Sequence, residues 1–213
     1  STQNQSSAAS DVYKRQHQYT TKGQLLDYGS GNGDFAQAAQ KLGWDVSVFE
    51  TSPNALEILK QRQLNVIAKP LQSNQHDVIT LWHVFEHINN PNEVLASFFK
   101  SLKPGGLLVL AVPNAASWDA KHYNSFWAAY DVPRHRWHYN KNAISLLGSK
   151  AGFQLIRIKN MFWDAFYISL LSEHYRNAKA PWTKALCKGL FANLKGWKQT
   201  NTSSLTFFLQ KPK

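Results

Sequence analysis

Cysteine is nearly absent: Cys187 is the only one in 213 residues. One thiol excludes an internal disulfide and a multi-cysteine metal cluster, and it suits a reducing cytoplasm. Long apolar runs are missing too. No stretch approaches the ~18–20 apolar residues that span a bilayer as a helix, and nothing resembles a secretory signal peptide, so a cytoplasmic protein is expected. Acidic residues are few and stop early. All 13 lie at or before Glu173, while the last 40 residues carry eight Lys and Arg and no acid, so the net charge of +11 is unevenly placed. No nucleic-acid recognition motif accompanies that charge, and nucleic acid is not an expected partner.

What is present reads as globular. Hydrophobic residues make up 43% and charged residues 17% of the chain, enough for one domain with a sizeable core. The first ten residues are polar. Asp11–Gln16, "DVYKRQ", back-translates as GAT GTG TAT AAG AGA CAG, a string resembling a transposon end used in sequencing-library preparation. Residues 1–16 are therefore expected to be a non-native or disordered tail, followed by a single domain over 17–213.

Along that domain, short apolar stretches alternate with helical patterns. Strands are expected at Leu25–Tyr28, Trp44–Glu50, Leu64–Ala68, Asp77–Trp82, Leu107–Val112, Phe153–Asn160 and Leu205–Gln210. Helices are expected at Phe35–Leu42, from the cap Ser52 with Pro53 to about Gln63, from the capping-box-like Asn90–Glu93 to about Lys103, and at Lys141–Ala151. Such alternation argues an α/β fold: a doubly wound, mostly parallel sheet with helices on both faces. Right-handed crossovers then gather the loops after the strands on one edge, where ligands bind.

The loop after the first strand is "YGSGNGDF". Gly29, Gly31 and Gly33 permit a tight turn and a ligand lying against backbone. The spacing is G-x-G-x-G, with Asp34 where a dinucleotide fingerprint has its third glycine. Glu50, at the end of the second strand, is placed to accept ribose hydroxyls. A nicotinamide-dependent oxidoreductase would use the same loop and acid, but the glycine spacing disfavours it. A non-catalytic cofactor-binding fragment is a further alternative.

"LLDYGSGNG", "VFE", "DVITLWHVFEHI" and "LKPGGLLVLAVPN", in that order, resemble class I S-adenosylmethionine-dependent methyltransferases. The resemblance runs over about Leu25–Phe153 and is nearest the branch that includes quinone-biosynthesis O-methyltransferases. It implies a Rossmann-like seven-stranded sheet with the last strand antiparallel, and S-adenosylmethionine as cofactor. Asp27, Gly29, Gly31 and Gly33 would hold its methionyl end and Glu50 its ribose, with Trp82 and His83 beside it. No acid follows the third strand, leaving Gln72 or backbone near Leu71 to meet the adenine.

The sulfonium already activates the methyl group, so the protein chiefly positions the acceptor and, for a hydroxyl, supplies a base. His83, His87, His135 and His138 are the candidate bases. "HVFEH" also matches the zinc-protease string H-x-x-E-H, but it follows a strand directly and Pro91 opens a new helix, so no metal is expected. Glu86 and His87 are expected to orient the loop through hydrogen bonds.

Two inserts follow. Residues 114–140 hold seven aromatics and end in "DVPRHRWHY", as a lid or substrate loop would. Arg134 suits a carboxylate or phosphate on the acceptor, and Trp118 and Trp127 suit a ring or sugar face. Residues 162–203 include Trp182, Leu186, Leu190, Leu194 and Trp197 at helical spacing, with Lys184, Lys188, Lys195 and Lys198 on another face. That basic amphipathic pattern over 182–198 suggests peripheral association with an anionic membrane; a helix packed over the active site is the alternative. The expected function is methyl transfer to a small or lipid- or sugar-linked metabolite, at oxygen.

Overall fold

The computed structural model describes residues 22–67 and 72–213. The suspected tail, Ala68 of the expected third strand and Leu71 lie outside the described residues. Leu25 and Leu26 open the fold: both are buried, and consecutive strand residues face opposite sides. In β1 (Gln24–Tyr28) they therefore demand cover on both faces of the sheet. β1 pairs in parallel with β2 (Asp45–Phe49) on one side and with β4 (His76–Trp82) on the other. The full order is β3-β2-β1-β4-β5-β7-β6, where β3 is Asn65–Val66, β5 Leu102–Pro113, β6 Gln154–Met161 and β7 Ser204–Gln210. β7 runs antiparallel to both β5 and β6. The architecture is the expected one.

Helices cover the two faces unequally. Leu25, Val46, Val48 and Val109 pack against Phe35, Ala36 and Ala39 of α1 (Asp34–Lys41) and Leu59 of α2 (Pro53–Gln61). On the other face Leu26, Ile79, Leu81, Leu108 and Leu110 meet Leu95 and Phe98 of α3 (Pro91–Ser101) and Ile144 of α5 (Lys141–Lys150). Each such side chain, fully withdrawn from water, contributes about 1.5–3 kcal/mol.

A third apolar cluster lies beyond the sheet and comes from the two inserts. The 114–140 insert forms α4 (Trp118–Tyr123) and two single-turn 3-10 helices rather than a plain loop. Its Ala120, Tyr123, Trp127 and Ala128 pack against Ile168 of α6 (Asp164–Tyr175). The polar tips are satisfied: Trp127 Nε1 donates to Asp119 at 2.8 Å and the Tyr123 hydroxyl to Glu173 at 3.1 Å. α7 (Pro181–Trp197) then packs along α6.

Local expectations fail at three places. The third strand shrinks to two residues. β5 begins five residues early: His76 pairs with Leu102 and Val78 with Leu107, so Lys103–Gly106 bulges out of the ladder, with Gly105 at φ +80°. Neither Ser52 nor Asn90 caps its helix through its side chain. The Ser52 amide donates to Glu50 instead, and Asn90 bonds Glu93 directly.

Candidate active site

The loops after β1, β2 and β4 open together at one sheet edge around a cavity of about 720 Å³. Its wall includes Gly29, Gly31, Glu50, Trp82 and His83, five of the seven residues expected to meet the cofactor. His87 lies there too, and so do Ser30, Asn32, Asp34, Phe49 and Thr51, which sequence reasoning did not single out. Asp27 and Gly33 do not line it. Gly33, at φ +79°, turns the chain into α1, and a Cβ there would lie 2.4 Å from Leu64. Gln72 is exposed and does not line the cavity.

The glycine loop spends four of its amides on the protein. Gly29 and Ser30 donate to the Phe49 carbonyl at 2.7 and 3.2 Å, Gly31 to Glu50 at 2.8 Å, and Gly33 to the Ser30 carbonyl at 2.9 Å. A phosphate-binding loop needs those donors aimed at the ligand. Here four of them are committed, and the wall carries the carboxylate of Glu50 together with Asp34, which is paired with Arg62. Such a site favours a cationic ligand over a pyrophosphate. Glu50 is the hub, since its other oxygen accepts from Thr51 and Ser52 at 2.6 and 2.9 Å.

Asp27 sits below this loop, 1% exposed. One oxygen accepts from Thr80 at 2.8 Å and the other has no hydrogen bond. Burial, only partly offset by the Thr80 bond and aided by the Glu50 charge, lifts its carboxyl to about 7.

His83 closes the cavity and opens a second one. It stands at the end of β4 at φ +55°, so "HVFEH" is not a helix: it runs from strand into the 3-10 turn Phe85–His87. That geometry excludes the zinc-protease arrangement. His83 Nε2 lies 2.9 Å from Asp164 and Nδ1 3.4 Å from Glu86. Burial alone would depress the imidazolium, but the Asp164 and Glu86 carboxylates outweigh it and hold His83 up at about 10. The same ion pair holds Asp164 below the usual carboxylate range despite its burial.

The second cavity, about 270 Å³, is bounded by His83, Glu86, Asp131, Arg134, His135 and Asp164, with Tyr167, Leu171 and Tyr175 of α6. Glu86 is 1% exposed, and neither carboxylate oxygen has a hydrogen bond. His135 Nδ1 lies 2.8 Å from the Ala129 carbonyl, so it carries the ring proton and leaves Nε2 as an acceptor. That nitrogen is 3.9 Å from Glu86 and 3.7 Å from Asp131. Burial lowers the His135 pKa, favouring the neutral ring.

The expected site residues therefore divide. His135 and Arg134 face the second cavity, where Arg134 pairs with Asp131, and His87 faces the first. His138 lines neither, its Nε2 lying 2.9 Å from the Tyr130 carbonyl. Trp127 is core, and Trp118 stacks on His122 at 4.7 Å; neither lines either of these two cavities. One atom each of Glu86, His87 and His135 lies within 4.8 Å of the others, a spacing at which they could hold a cation.

The family model described as "Methyltransferase domain" matches residues 4–158, well over half of the chain. The chain belongs to the class I S-adenosylmethionine-dependent methyltransferase family. Among relatives, the mitochondrial ubiquinone biosynthesis O-methyltransferase of Schizosaccharomyces pombe is 29% identical over 114 residues, covering 47% of this chain and 41% of that one. The demethylmenaquinone methyltransferase of Renibacterium salmoninarum is 29% identical over 94 residues, covering 41% and 40%. The matched stretch thus spans less than half the length of either. Among solved structures, Haemonchus contortus phosphoethanolamine N-methyltransferase 2 with S-adenosyl-L-methionine has a TM-score of 0.63 at 22% identity, covering 97% of this chain and 53% of that one. A SAM-dependent methyltransferase from Archaeoglobus fulgidus reaches 0.66 at 15%, covering 97% and 94%. These share the fold. Nothing among these relationships supports the nicotinamide alternative.

The residues present fit the family's cofactor. A Cβ at Gly31 would meet nothing within 4 Å, and the buried Ser30 hydroxyl and Trp82 Nε1 have no hydrogen-bond partner among the described residues. Open backbone, unspent polar groups and the Glu50 carboxylate suit a ligand bearing an ammonium, a sulfonium and a ribose.

Proposed function

We propose that this methyltransferase moves a methyl group from S-adenosylmethionine to a hydroxyl oxygen of a small metabolite seated in the 270 Å³ cavity. The observation that carries the reading is His83, which lines both cavities and so joins a cofactor site to an acceptor site. When bound, the cofactor supplies an electrophilic methyl group on sulfur. Gly29, Gly31, Glu50, Trp82 and His83 hold it, and Asp27 supports the loop from below. His135 Nε2 takes the acceptor's proton, and Glu86 stabilises the imidazolium that forms. His83 itself stays protonated through neutral pH and is no base; tied to Asp164, it fixes α6 against the end of β4.

Relatives named for ubiquinone-biosynthesis O-methylation support oxygen as the target, and Arg134 at the mouth suits an anionic group on a lipid- or sugar-linked acceptor. The reading takes 17–213 as one domain acting in the cytoplasm, with peripheral membrane association through 182–198. No helix among the described residues is long and apolar enough to cross a membrane. The test is methyl transfer from a tritiated donor to a panel of phenols and hydroxylated lipids by the parent and His135→Gln. Turnover should fall ~10²–10⁴-fold while S-adenosylhomocysteine binds unchanged. Full turnover in the variant would reject His135 as the base.

A further inference from the structure

Ten of the fifteen large hydrophobic side chains left exposed among the described residues fall within 162–197. Trp182, Leu186, Leu190, Leu194 and Trp197 of α7 are each 53–70% exposed, so the stripe expected either to pack or to dock is bare. α7 instead packs through small residues: Ala185, Gly189, Ala192, Asn193 and Gly196 are its buried positions. At 3.6 residues per turn the bare stripe is centred about 95° round the helix from that face. Its direction follows from the contacts. Asn193 Nδ2 donates to the Phe162 carbonyl at 2.8 Å and a Cβ at Gly189 would lie 2.6 Å from Phe166, so this side meets α6 and its approach. Phe191 and Lys188 lie against Trp118 of α4 on the opposite side. The stripe therefore turns outward beside α6, whose own Trp163 and Tyr167 are 64% and 60% exposed. Tyr167 also lines the acceptor cavity.

Charge completes the surface. Residues 162–203 carry six Lys and Arg and two acids, and both acids, Asp164 and Glu173, are buried. An apolar face this long, on an insert whose exposed charges are all cationic, is unlike the surface of a freely soluble monomer. We infer that α6 and α7 dock the protein on an anionic lipid bilayer, with the apolar stripe in the headgroup–acyl boundary and the acceptor cavity opening beside it. The lysines stand about 145° from the stripe, but a helix is only 10–12 Å across. They stay within the ~10 Å screening length at 0.1 M salt, and their flexible stems reach toward headgroups. The acceptor class that follows is an amphiphile whose polar end enters from the membrane. That last step alone rests on the methyl-transfer reading; docking itself is read without turnover.

The experiment is co-sedimentation of the full chain with phosphatidylcholine vesicles and with phosphatidylcholine–phosphatidylglycerol vesicles, from 0.1 to 1 M salt. Two variants accompany it, Leu186→Ser with Leu190→Ser, and Lys184, Lys188, Lys195 and Lys198 all to Gln. S-adenosylhomocysteine binding and oligomeric state are measured on each. The parent should sediment with the anionic vesicles at 0.1 M salt and release by 1 M. Both variants should lose at least tenfold in vesicle affinity while binding S-adenosylhomocysteine like the parent. Absence of parent binding, equal binding to neutral vesicles, or no loss in either variant would overturn the inference. So would a dimer that the leucine variant splits, because the stripe would then be covered by a second copy of the chain. A failed methyl-transfer assay with intact vesicle binding would reject the catalytic reading and leave the docking surface standing.

Discussion

Replacing Glu50 with Ala separates two jobs that one carboxylate does. Its four or so lone-pair directions already receive three amides, from Gly31, Thr51 and Ser52. About one direction is left for a ribose hydroxyl, not the two that a bare strand-end acid would offer. A hydrogen bond to a charged acceptor is worth about 1.5–3 kcal/mol. The Glu50→Ala variant should therefore bind S-adenosylhomocysteine about 10- to 150-fold more weakly. It should also melt lower, since the Gly31 amide loses its acceptor and the loop its brace. Titration calorimetry gives the first number and a melting curve without ligand gives the second. Glu50→Gln keeps one acceptor oxygen and should fall between Ala and the parent on both. An Ala variant that binds within threefold of the parent would refute the assignment of Glu50 to the ribose, whatever its melting point.

The other predictions use the same contrasts. Gly31→Ala places a methyl group in the open cavity, where it meets nothing of the protein, and should cut S-adenosylhomocysteine affinity with about 1 kcal/mol of backbone strain. Gly33→Ala drives its methyl into Leu64 and Leu59 and should instead cost about 1–3 kcal/mol of stability, read by urea unfolding. Asp27 has its carboxyl raised from 3.8 to about 7. The unfolded chain gives up that proton first as pH rises, so the parent should lose up to about 4 kcal/mol between pH 4 and 7, and level off above. Asp27→Asn should flatten this slope in urea unfolding across the same window. A chelator should leave activity unchanged if Glu86, His87 and His135 work as base and braces; loss restored by a stoichiometric divalent ion would make them ligands.

Most of the strands, the glycine loop and the acid at Glu50 were legible because local signals specify them: turn glycines, apolar strands and a strand-end carboxylate. What the loop does with its amides was not. Gly29 and Ser30 spend theirs on the Phe49 carbonyl, a partner twenty residues on that only the parallel pairing of β1 with β2 brings near. His83 and Asp164 are likewise 81 residues apart, and no periodicity links them. Trp127 shows the limit of composition. An aromatic in a ligand-edge insert reads as a binding residue, yet tertiary packing and the Asp119 carboxylate take it into the core. The α7 stripe shows the converse limit. Spacing reveals that a helix has an apolar face, but small residues at Ala185, Gly189 and Ala192 make a closer-packing face, and the large side chains stay outside.

The cavity at the sheet edge suits a sulfonium nucleoside rather than a dinucleotide, because four amides of the glycine loop are already bonded and the Glu50 carboxylate lines the wall. Titrating the full chain with S-adenosylhomocysteine and, separately, with NAD tests it most directly. The account predicts saturable one-to-one binding of S-adenosylhomocysteine, competed by S-adenosylmethionine, with no measurable heat from NAD at the same concentrations. Binding of NAD with comparable affinity, or no binding of S-adenosylhomocysteine by the folded chain, would contradict it.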